Sequence, residues 1–178
     1  FCSNSSMRCK SRLTSPGAVA VCAIEFAPPK EIPTIATNAI LEFKGARTGL
    51  ITTKGFRDVL EMRRLRIPVL YDLQYQKPPP LVPRRLRMEV DERMGPHGAV
   101  WAALDEASVV AAAQALKDAG VEAVAIALLH AYADPTHERR VAEIVRAELP
   151  GVFVTSSADI LPEIREYERA MVGLMNAY

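Results

Sequence analysis

The sequence predicts an α/β fold, a parallel or mixed β-sheet with flanking helices, and the clearest signals lie in its last third. Residues 121–129 (VEAVAIALL) form a nearly continuous apolar run, as expected of a strand that is buried on both faces. One helical pattern precedes this run, another follows it, and residues 152–155 (VFVT) form the next strand-like run. Strand, helix and strand in this order predict a right-handed parallel crossover.

The two helices beside this strand have recognisable ends. The first is predicted to begin at Asp105 or Glu106 and to stop at Gly120, because glycine readily adopts the left-handed conformation that ends helices. Pro135 is predicted in the first turn of the second helix, where a missing N–H costs no hydrogen bond. That helix is predicted to end at Pro150.

The segment before this unit also alternates between helix and strand signals. Thr34 is expected to cap a helix over residues 35–44, and Gly45 is expected to stop it. Residues 47–53 (RTGLITT) are predicted to form a strand, and residues 55–62 (GFRDVLEM) a short helix.

A long irregular loop is predicted for residues 66–85, which contain five prolines, because proline lacks the N–H that helices and sheets use. Residues 86–93 and 99–101 are then expected to pair as a hairpin around the turn 95–98 (GPHG). Apolar residues keep helical spacing from Ile164 to the last position, so we expect the sequence to be cut within a longer chain.

Composition limits the classes of function. A chain of 178 residues with 49% hydrophobic and 24% charged residues is typical of one soluble domain. The net charge is +1, without the basic field that nucleic acid or an anionic membrane selects, so we expect neither partner. Cys2, Cys9 and Cys22 lack zinc or disulfide spacing, which indicates a reducing, cytoplasmic setting and no metal site.

Several phrases in the chain, taken together, resemble one protein family. In order they are ATNAILE (36–42), KGAR (44–47), GLITTKGFRDVLE (49–61), YDL (71–73), PPLVPR (79–84), GVEAVAIALLHAYADPTHE (120–138), LPEIREYER (161–169) and NAY (176–178). They resemble the N-terminal region of the hydantoinase A/5-oxoprolinase family. We therefore divide the chain into residues 34–178, a partial hydantoinase/oxoprolinase N-terminal α/β domain, and residues 1–33, an unmatched segment expected to be poorly ordered or aberrant.

The resemblance implies part of an actin-like ATPase domain. For the complete protein it implies an ATP-dependent amidohydrolase that opens a lactam or hydantoin ring, with 5-oxoproline or a hydantoin as the type of substrate. In such chemistry the amide oxygen is phosphorylated, and water then attacks and opens the ring. The resemblance also implies ATP and Mg²⁺ as cofactors. The implied partners are the remainder of the chain or a second subunit, and a small cyclic amide.

The chain departs from the family pattern at its phosphate-binding phrases. Residues 1–33 contain nothing similar to the family's glycine-rich turn DxGGTFTD, and residues 31–34 (EIPT) replace its HGTT. Neither a Walker A sequence nor GxGxxG occurs. We therefore expect this chain to bind no nucleotide and to be inactive alone. The alternative is a non-catalytic α/β interaction module, or a remnant that has lost the nucleotide site.

Four candidate site residues lie at predicted element ends. Thr37 and Asn38 are near the start of the first predicted helix, where a hydroxyl and an amide can meet a substrate or phosphate, or merely cap the helix. Thr52 and Thr53 end a predicted strand, the position at which open α/β sheets bind ligands. The alternative for both threonines is a solvated strand end.

Four further candidates follow from residue type, while the catalytic residues stay unassigned. His130 ends the strand 121–129 and is a candidate general base or ligand, with a satisfied structural histidine as the alternative. Arg57 is a candidate carboxylate-binding residue or a surface charge. Glu168 and Arg169 lie in the family-like phrase EYER, or form an ordinary salt-linked helix face. His137 is expected to be solvated.

Overall fold

The computed structural model describes residues 38–64 and 74–178. Its centre is a four-stranded sheet in the order β2-β1-β5-β6, in which every neighbouring pair is parallel. The predicted α/β fold with a parallel sheet and flanking helices is confirmed. The strands are β1 Thr48–Thr53, β2 Arg87–Val90, β5 Ala123–Ala127 and β6 Phe153–Ser156, and a separate antiparallel pair consists of β3 Arg93–Met94 and β4 Val100–Ala102.

Helices connect and cover these strands. Residues 38–42 are helical, and a short 3₁₀ turn, Arg84–Leu86, leads into β2. The remaining helices are α1 Val59–Met62, α2 Glu106–Asp118, α3 Thr136–Glu148, α4 Ser157–Ile160 and α5 Glu166–Ala177. No helix within the described residues is long and apolar enough to cross a lipid bilayer.

The two central strands are buried along their whole length, as their apolar sequences predict. Gly49 of β1 lies against Leu116 of α2, whereas the hydroxyl of the preceding residue, Thr48, is 3.5 Å from the carbonyl oxygen of Ala177 in α5. Because neighbouring strand residues point to opposite faces, α2 and α5 cover opposite faces of the sheet. The core therefore has two layers, one on each side of β1 and β5.

The predicted hairpin is wrong in its first half. Residues 87–90 pair with β1 in a parallel ladder, and only β3 pairs with β4. The reason is burial. Leu86 and Val90 belong to the hydrophobic core, and pairing of residues 87–90 with β1 keeps both side chains in it. The predicted helix 55–62 is also shorter, since Gly55 adopts a φ of 87° and the helix begins at Val59.

The first predicted helix ends earlier than its glycine suggests. Phe43, with a φ of 52°, takes the left-handed conformation instead of Gly45. Gly45 has a different role, because a side chain there would collide with the ring of Tyr178. The amide of Ala46 donates a hydrogen bond of 2.7 Å to the carbonyl oxygen of Tyr178. The glycine thus permits close approach of α5 to the entry of β1.

Part of the predicted loop 66–85 is described. Residues 74–83 contain no helix or strand, as the prolines predict, while residues 66–73 lie outside the described residues. The boundary placed between residues 33 and 34 also lies outside them and stays a prediction.

Candidate functional site

Polar side chains converge at the carboxyl ends of the parallel strands. Thr53 ends β1, the segment 128–130 follows β5, and Ser156 and Ser157 stand at the end of β6. Carboxyl ends of parallel strands lie at one edge of a sheet, where open α/β folds bind their ligands. We call this the carboxyl edge.

The first polar group at the carboxyl edge is built around Glu92. Thr53 donates its hydroxyl hydrogen bond to Oε1 of Glu92 and accepts one of 2.9 Å from the amide of Leu129. The other carboxylate oxygen, Oε2, lies 2.9 Å from Nδ1 of His137. The Glu92 side chain is fully buried, and that of His137 is 13% exposed. The expectation that His137 is simply solvated was therefore wrong.

The second polar group is built around Glu138, which is also fully buried. Its carboxylate accepts hydrogen bonds from the amides of Leu128 (2.8 Å) and Ala158 (2.9 Å) and from the hydroxyls of Ser156 (2.6 Å) and Ser157 (2.7 Å). Four donors compensate the loss of water around a buried carboxylate. Glu138 therefore joins the ends of β5 and β6 to the first turn of α3.

Arg169 reaches this group from α5 and is buried. Its guanidinium donates to the carbonyl oxygens of Leu128 (2.6 Å) and Glu163 (2.6 Å) and to the hydroxyl of Ser157 (3.2 Å). Burial lowers the pKa of Arg169, and the negative charge of Glu138 opposes that shift. Two of these contacts hold backbone carbonyls and the third holds a serine side chain, so Arg169 fixes the shape of the carboxyl edge.

His130 has the most unusual environment among the predicted site residues. Its φ is 54°, the left-handed region, which non-glycine residues seldom occupy and which is enriched at functional sites. Its Nδ1 is buried and has no hydrogen-bond partner among the residues that the structure describes. Its ring packs edge-on against Tyr132, with the ring centres 5.8 Å apart, and Arg169 lies 5.9 Å from the Tyr132 ring centre.

The β3–β4 hairpin packs against the loop that follows His130. The hydroxyl of Tyr132 donates a hydrogen bond of 3.3 Å to the carbonyl oxygen of Pro96 in the hairpin turn. A side chain at Gly98 would be in ordinary contact with Asp134, 3.5 Å from its Cβ. The turn 95–98 and the loop 131–134 are therefore packed together next to the carboxyl edge.

A small cavity of about 20 Å³ opens beside these groups. Its lining includes Thr52, Leu129, Glu166 and Arg169. This volume holds about one water molecule. Of the predicted residues, Thr52 and Arg169 line this cavity, whereas Thr53 and His130 lie at the carboxyl edge outside its lining.

The other predicted residues have different surroundings. Arg57 donates a 2.8 Å hydrogen bond to the carbonyl oxygen of Arg84, which anchors the segment before β2. Glu168 forms ion pairs with Arg64 and Arg165. Asn38 is exposed, and Thr37 lies outside the described residues. As a site, these four residues remain untested predictions.

Sequence reasoning missed Glu92 and Glu138 because both stand in strongly charged stretches, DER and HERR. One signal for Glu138 was present. It lies three and seven residues before Val141 and Val145, which places it on the buried stripe of α3. A charged residue on an apolar stripe predicts a buried, paired group.

The described residues contain no preassembled set of three cation ligands. No three His, Cys, Asp or Glu side chains converge on a cation position within residues 38–64 and 74–178. Glu92 and Glu138 are already engaged with protein donors. Gly55, two residues after the end of β1, donates a hydrogen bond of 2.9 Å from its backbone N–H to the Glu89 carboxylate. No step that involves ATP is therefore assigned to these side chains.

The fold is an open, parallel α/β sheet, the architecture in which ligands, when present, bind at the carboxyl ends of the strands. Comparison with known families identifies it further. Residues 33–149 match the model of the hydantoinase/oxoprolinase N-terminal region. The chain belongs to this family, as its sequence phrases predict.

Individual relatives agree in sequence and in structure. Caprolactamase subunit alpha of Pseudomonas jessenii is 40% identical over 147 residues, which cover 82% of this chain and 21% of the relative. The crystal structure of the ATP-dependent caprolactamase from that organism superposes with a TM-score of 0.75, over 81% of this chain and 21% of that one, at 39% identity.

Two other relatives carry different activities in their names. 5-oxoprolinase 1 of Arabidopsis thaliana is 31% identical over 164 residues, covering 82% of this chain and 13% of the relative. A nucleotide-free structure of acetone carboxylase, described as performing ATP-dependent acetone carboxylation, has a TM-score of 0.75 and 32% identity, over 80% of this chain and 22% of that one. The chain thus spans about a fifth or less of the length of these relatives.

Proposed function

We propose that this chain is the N-terminal α/β part of an ATP-dependent amidohydrolase that opens a lactam or hydantoin ring. Family membership supports the class of enzyme, and two relatives that act on cyclic amides by name, a caprolactamase and a 5-oxoprolinase, support the substrate class. The observation that carries the proposal is the buried Nδ1 of His130 at the carboxyl edge, which has no hydrogen-bond partner among the described residues. A buried polar atom without a partner is costly, and a catalytic role or a bound water, ion or substrate would explain it.

A cyclic amide offers groups that match this edge. It presents a carbonyl acceptor and, in lactams and hydantoins, an N–H donor on the same side of the ring. Nδ1 of His130 is a donor or an acceptor according to its tautomer, so it pairs with either group. Arg169 does not bind the substrate in this proposal, because each of its three side-chain nitrogens already donates to a backbone carbonyl or a serine hydroxyl. It holds the segment that positions His130.

Nucleotide chemistry is assigned to the rest of the protein or to a second subunit. When bound there, ATP with Mg²⁺ activates the amide by phosphorylating its oxygen. This assignment is supported by the absence of a preassembled set of three cation ligands among the described residues. Related caprolactamase and acetone carboxylase chains are named as subunits, which is consistent with shared sites. The three cysteines and their spacing support a reducing, cytoplasmic setting.

A chimera tests the proposal. The 147 aligned residues of caprolactamase subunit alpha are exchanged for those of this chain, and ATP-dependent ring opening is measured with caprolactam, 5-oxoproline and hydantoin. We expect ring opening of at least one cyclic amide and a loss of 100-fold or more with His130→Ala, on the scale of one lost catalytic contact, about 2.7 kcal/mol. His97→Ala, on the exposed hairpin turn, is the matched control and should keep full activity. An active chimera that is indifferent to His130→Ala would contradict the role of His130.

A non-catalytic interaction module is the second candidate. The observation that favours it is an apolar groove of about 240 Å³, whose rim exposes Leu41, Phe43 and Met175. Exposed apolar groups around a groove are typical of surfaces that bind another polypeptide. A chimera that folds and assembles, yet opens none of the three amides, supports the module instead of the enzyme.

A further inference from the structure

The Glu92–His137 pair differs from every other buried polar group at the carboxyl edge. Glu138, the residue after His137, accepts four hydrogen bonds from protein donors, two at each carboxylate oxygen. Glu92 accepts from two groups among the described residues, Thr53 and His137. The second of these has another ring nitrogen to offer.

The proton positions in the pair follow from its chemistry. A carboxylate accepts hydrogen bonds, so the 2.9 Å contact between Oε2 of Glu92 and Nδ1 of His137 fits a ring whose proton is on Nδ1. In the neutral ring the lone pair then resides on Nε2. Nε2 has no hydrogen-bond partner among the described residues, and the side chain of His137 is 13% exposed. The pair therefore presents a hydrogen-bond acceptor at the surface of the carboxyl edge.

The supports of this pair come from three elements. Glu92 follows β2, His137 lies in the first turn of α3, and the hydroxyl of Thr53 ends β1. The same hydroxyl accepts from the amide of Leu129, the residue before His130. A ring held by a buried carboxylate, itself held by a strand end, has the fixed orientation that proton transfer requires.

We propose that His137 is a catalytic residue of the ring-opening reaction, with Nε2 as the base that takes a proton from the attacking water, and that Glu92 and Thr53 are its positioning residues. The inference rests on the proposed function for its substrate. As the water oxygen bonds to the amide carbon, one water proton moves to Nε2, and the carboxylate of Glu92 stabilises the resulting imidazolium. The carbon–nitrogen bond breaks, and the same proton passes to the ring nitrogen that leaves. The amide oxygen keeps its phosphoryl group in this step, so the products are an amine and an acyl phosphate, and a second water then releases the phosphate from the acyl group.

The first test is spectroscopic and needs no activity. The ¹⁵N shifts of the imidazole of His137 are measured in the 178-residue chain at about pH 8, where an ordinary histidine is neutral. We expect the Nδ1–H tautomer. We also expect Glu92→Gln to raise the population of the Nε2–H tautomer, because an amide no longer requires a donor at Nδ1. An Nε2–H tautomer in the unmodified chain would overturn the proposal.

The second test is kinetic and uses the chimera with caprolactamase. His137→Asn keeps an amide donor in the place of Nδ1–H and removes the acceptor at Nε2, so it preserves the contact with Glu92. We expect kcat to fall about 100-fold or more, on the scale of general-base catalysis, with KM changed less than about threefold. His97→Asn is the control, with unchanged kcat. A His137→Asn variant that keeps its kcat would overturn the proposal.

The two proposals fail in distinguishable ways. A chimera that opens no cyclic amide argues against the proposed function, whatever the tautomer of His137. An active chimera with the wrong tautomer, or with full activity after His137→Asn, argues against the catalytic pair alone. Should His137→Asn fail to fold, the tautomer of His137 in the unmodified chain still tests the catalytic pair.

Discussion

Glu138 and Arg169 share one serine. The hydroxyl of Ser157 donates to Oε1 of Glu138 at 2.7 Å and accepts from Nε of Arg169 at 3.2 Å. Opposite charges from α3 and α5 are thereby joined through a residue that follows β6. Because both charged groups are buried, removing Glu138 leaves Arg169 without the negative charge that opposes the effect of its burial.

Glu138→Ala should therefore destabilise the fold strongly. It leaves the amides of Leu128 and Ala158 without acceptors and Arg169 without its nearest negative charge. We expect a loss of about 3–5 kcal/mol in the free energy of unfolding, measured by urea denaturation. Glu143→Ala, an exposed position on the same helix, should change it by less than about 0.5 kcal/mol. Similar values for the two variants would show that Glu138 is not a structural centre.

Arg169→Lys should also destabilise, although the charge is kept. Lysine cannot reproduce the planar fork that donates to two carbonyl oxygens and a hydroxyl. The expected loss is about 1–3 kcal/mol, the cost of buried acceptors left unpaired. Arg165→Lys, at a largely exposed residue of the same segment, is the control and should be neutral. A neutral Arg169→Lys would mean that charge alone matters.

The backbone of His130 predicts an order of stability among variants. At a φ of 54°, glycine is unstrained whereas alanine is not. We expect His130→Gly to be more stable than His130→Ala by about 1 kcal/mol in thermal or urea unfolding. Neither variant should retain catalysis in the chimera. The reverse order of stability would indicate that the left-handed conformation of this residue is not kept.

Gly49→Ala tests the packing of α2 on the sheet. An added Cβ would lie 2.7 Å from a methyl carbon of Leu116, whose side chain is fully buried. Overpacking of this kind costs about 1–3 kcal/mol. In a double-mutant cycle with Leu116→Ala, the combined loss should be smaller than the sum of the two single losses, because the smaller side chain relieves the contact. Additive losses would exclude this contact as the cause.

Acid should weaken the contact between α2 and α3. The hydrogen bond from Arg140 holds the pKa of Glu106 below its ordinary value of 4.5. A carboxylate whose pKa is lower when folded stabilises the fold above the unfolded pKa, and this contribution disappears as the pH falls through the folded pKa. Unfolding curves between pH 5 and about 2 should therefore show a smaller pH dependence in Glu106→Gln. The effect is small and decreases with added salt, because both side chains are exposed. An unchanged pH dependence in Glu106→Gln would show that this ion pair does not contribute to the acid sensitivity of the fold.

Local sequence patterns predicted the secondary structure correctly where a strand is buried along its whole length. The run 121–129 predicted the central strand because both its faces are covered, and Asp105 marks the start of α2 by accepting a hydrogen bond from the amide of Ala107. Residues 87–90 (RMEV) were assigned to a hairpin because alternation does not reveal which strand is the partner. Arg87 gave no hint of burial either, although its guanidinium is fully enclosed and donates to Val82 and Glu61.

The candidate site was predictable at strand ends and not elsewhere. Thr53 and His130 follow apolar runs, so their position at the carboxyl edge could be inferred from the order of elements. Glu92 and His137 are 45 residues apart, and only the fold brings their side chains to 2.9 Å. A spacing of this kind belongs to no local pattern.

The contact between the hairpin turn and the loop after β5 has a mechanical consequence. Tyr132 is hydrogen-bonded to Pro96 across 36 positions of sequence. The turn and the segment that carries His130 are thus tied to each other, and separating them would break this hydrogen bond.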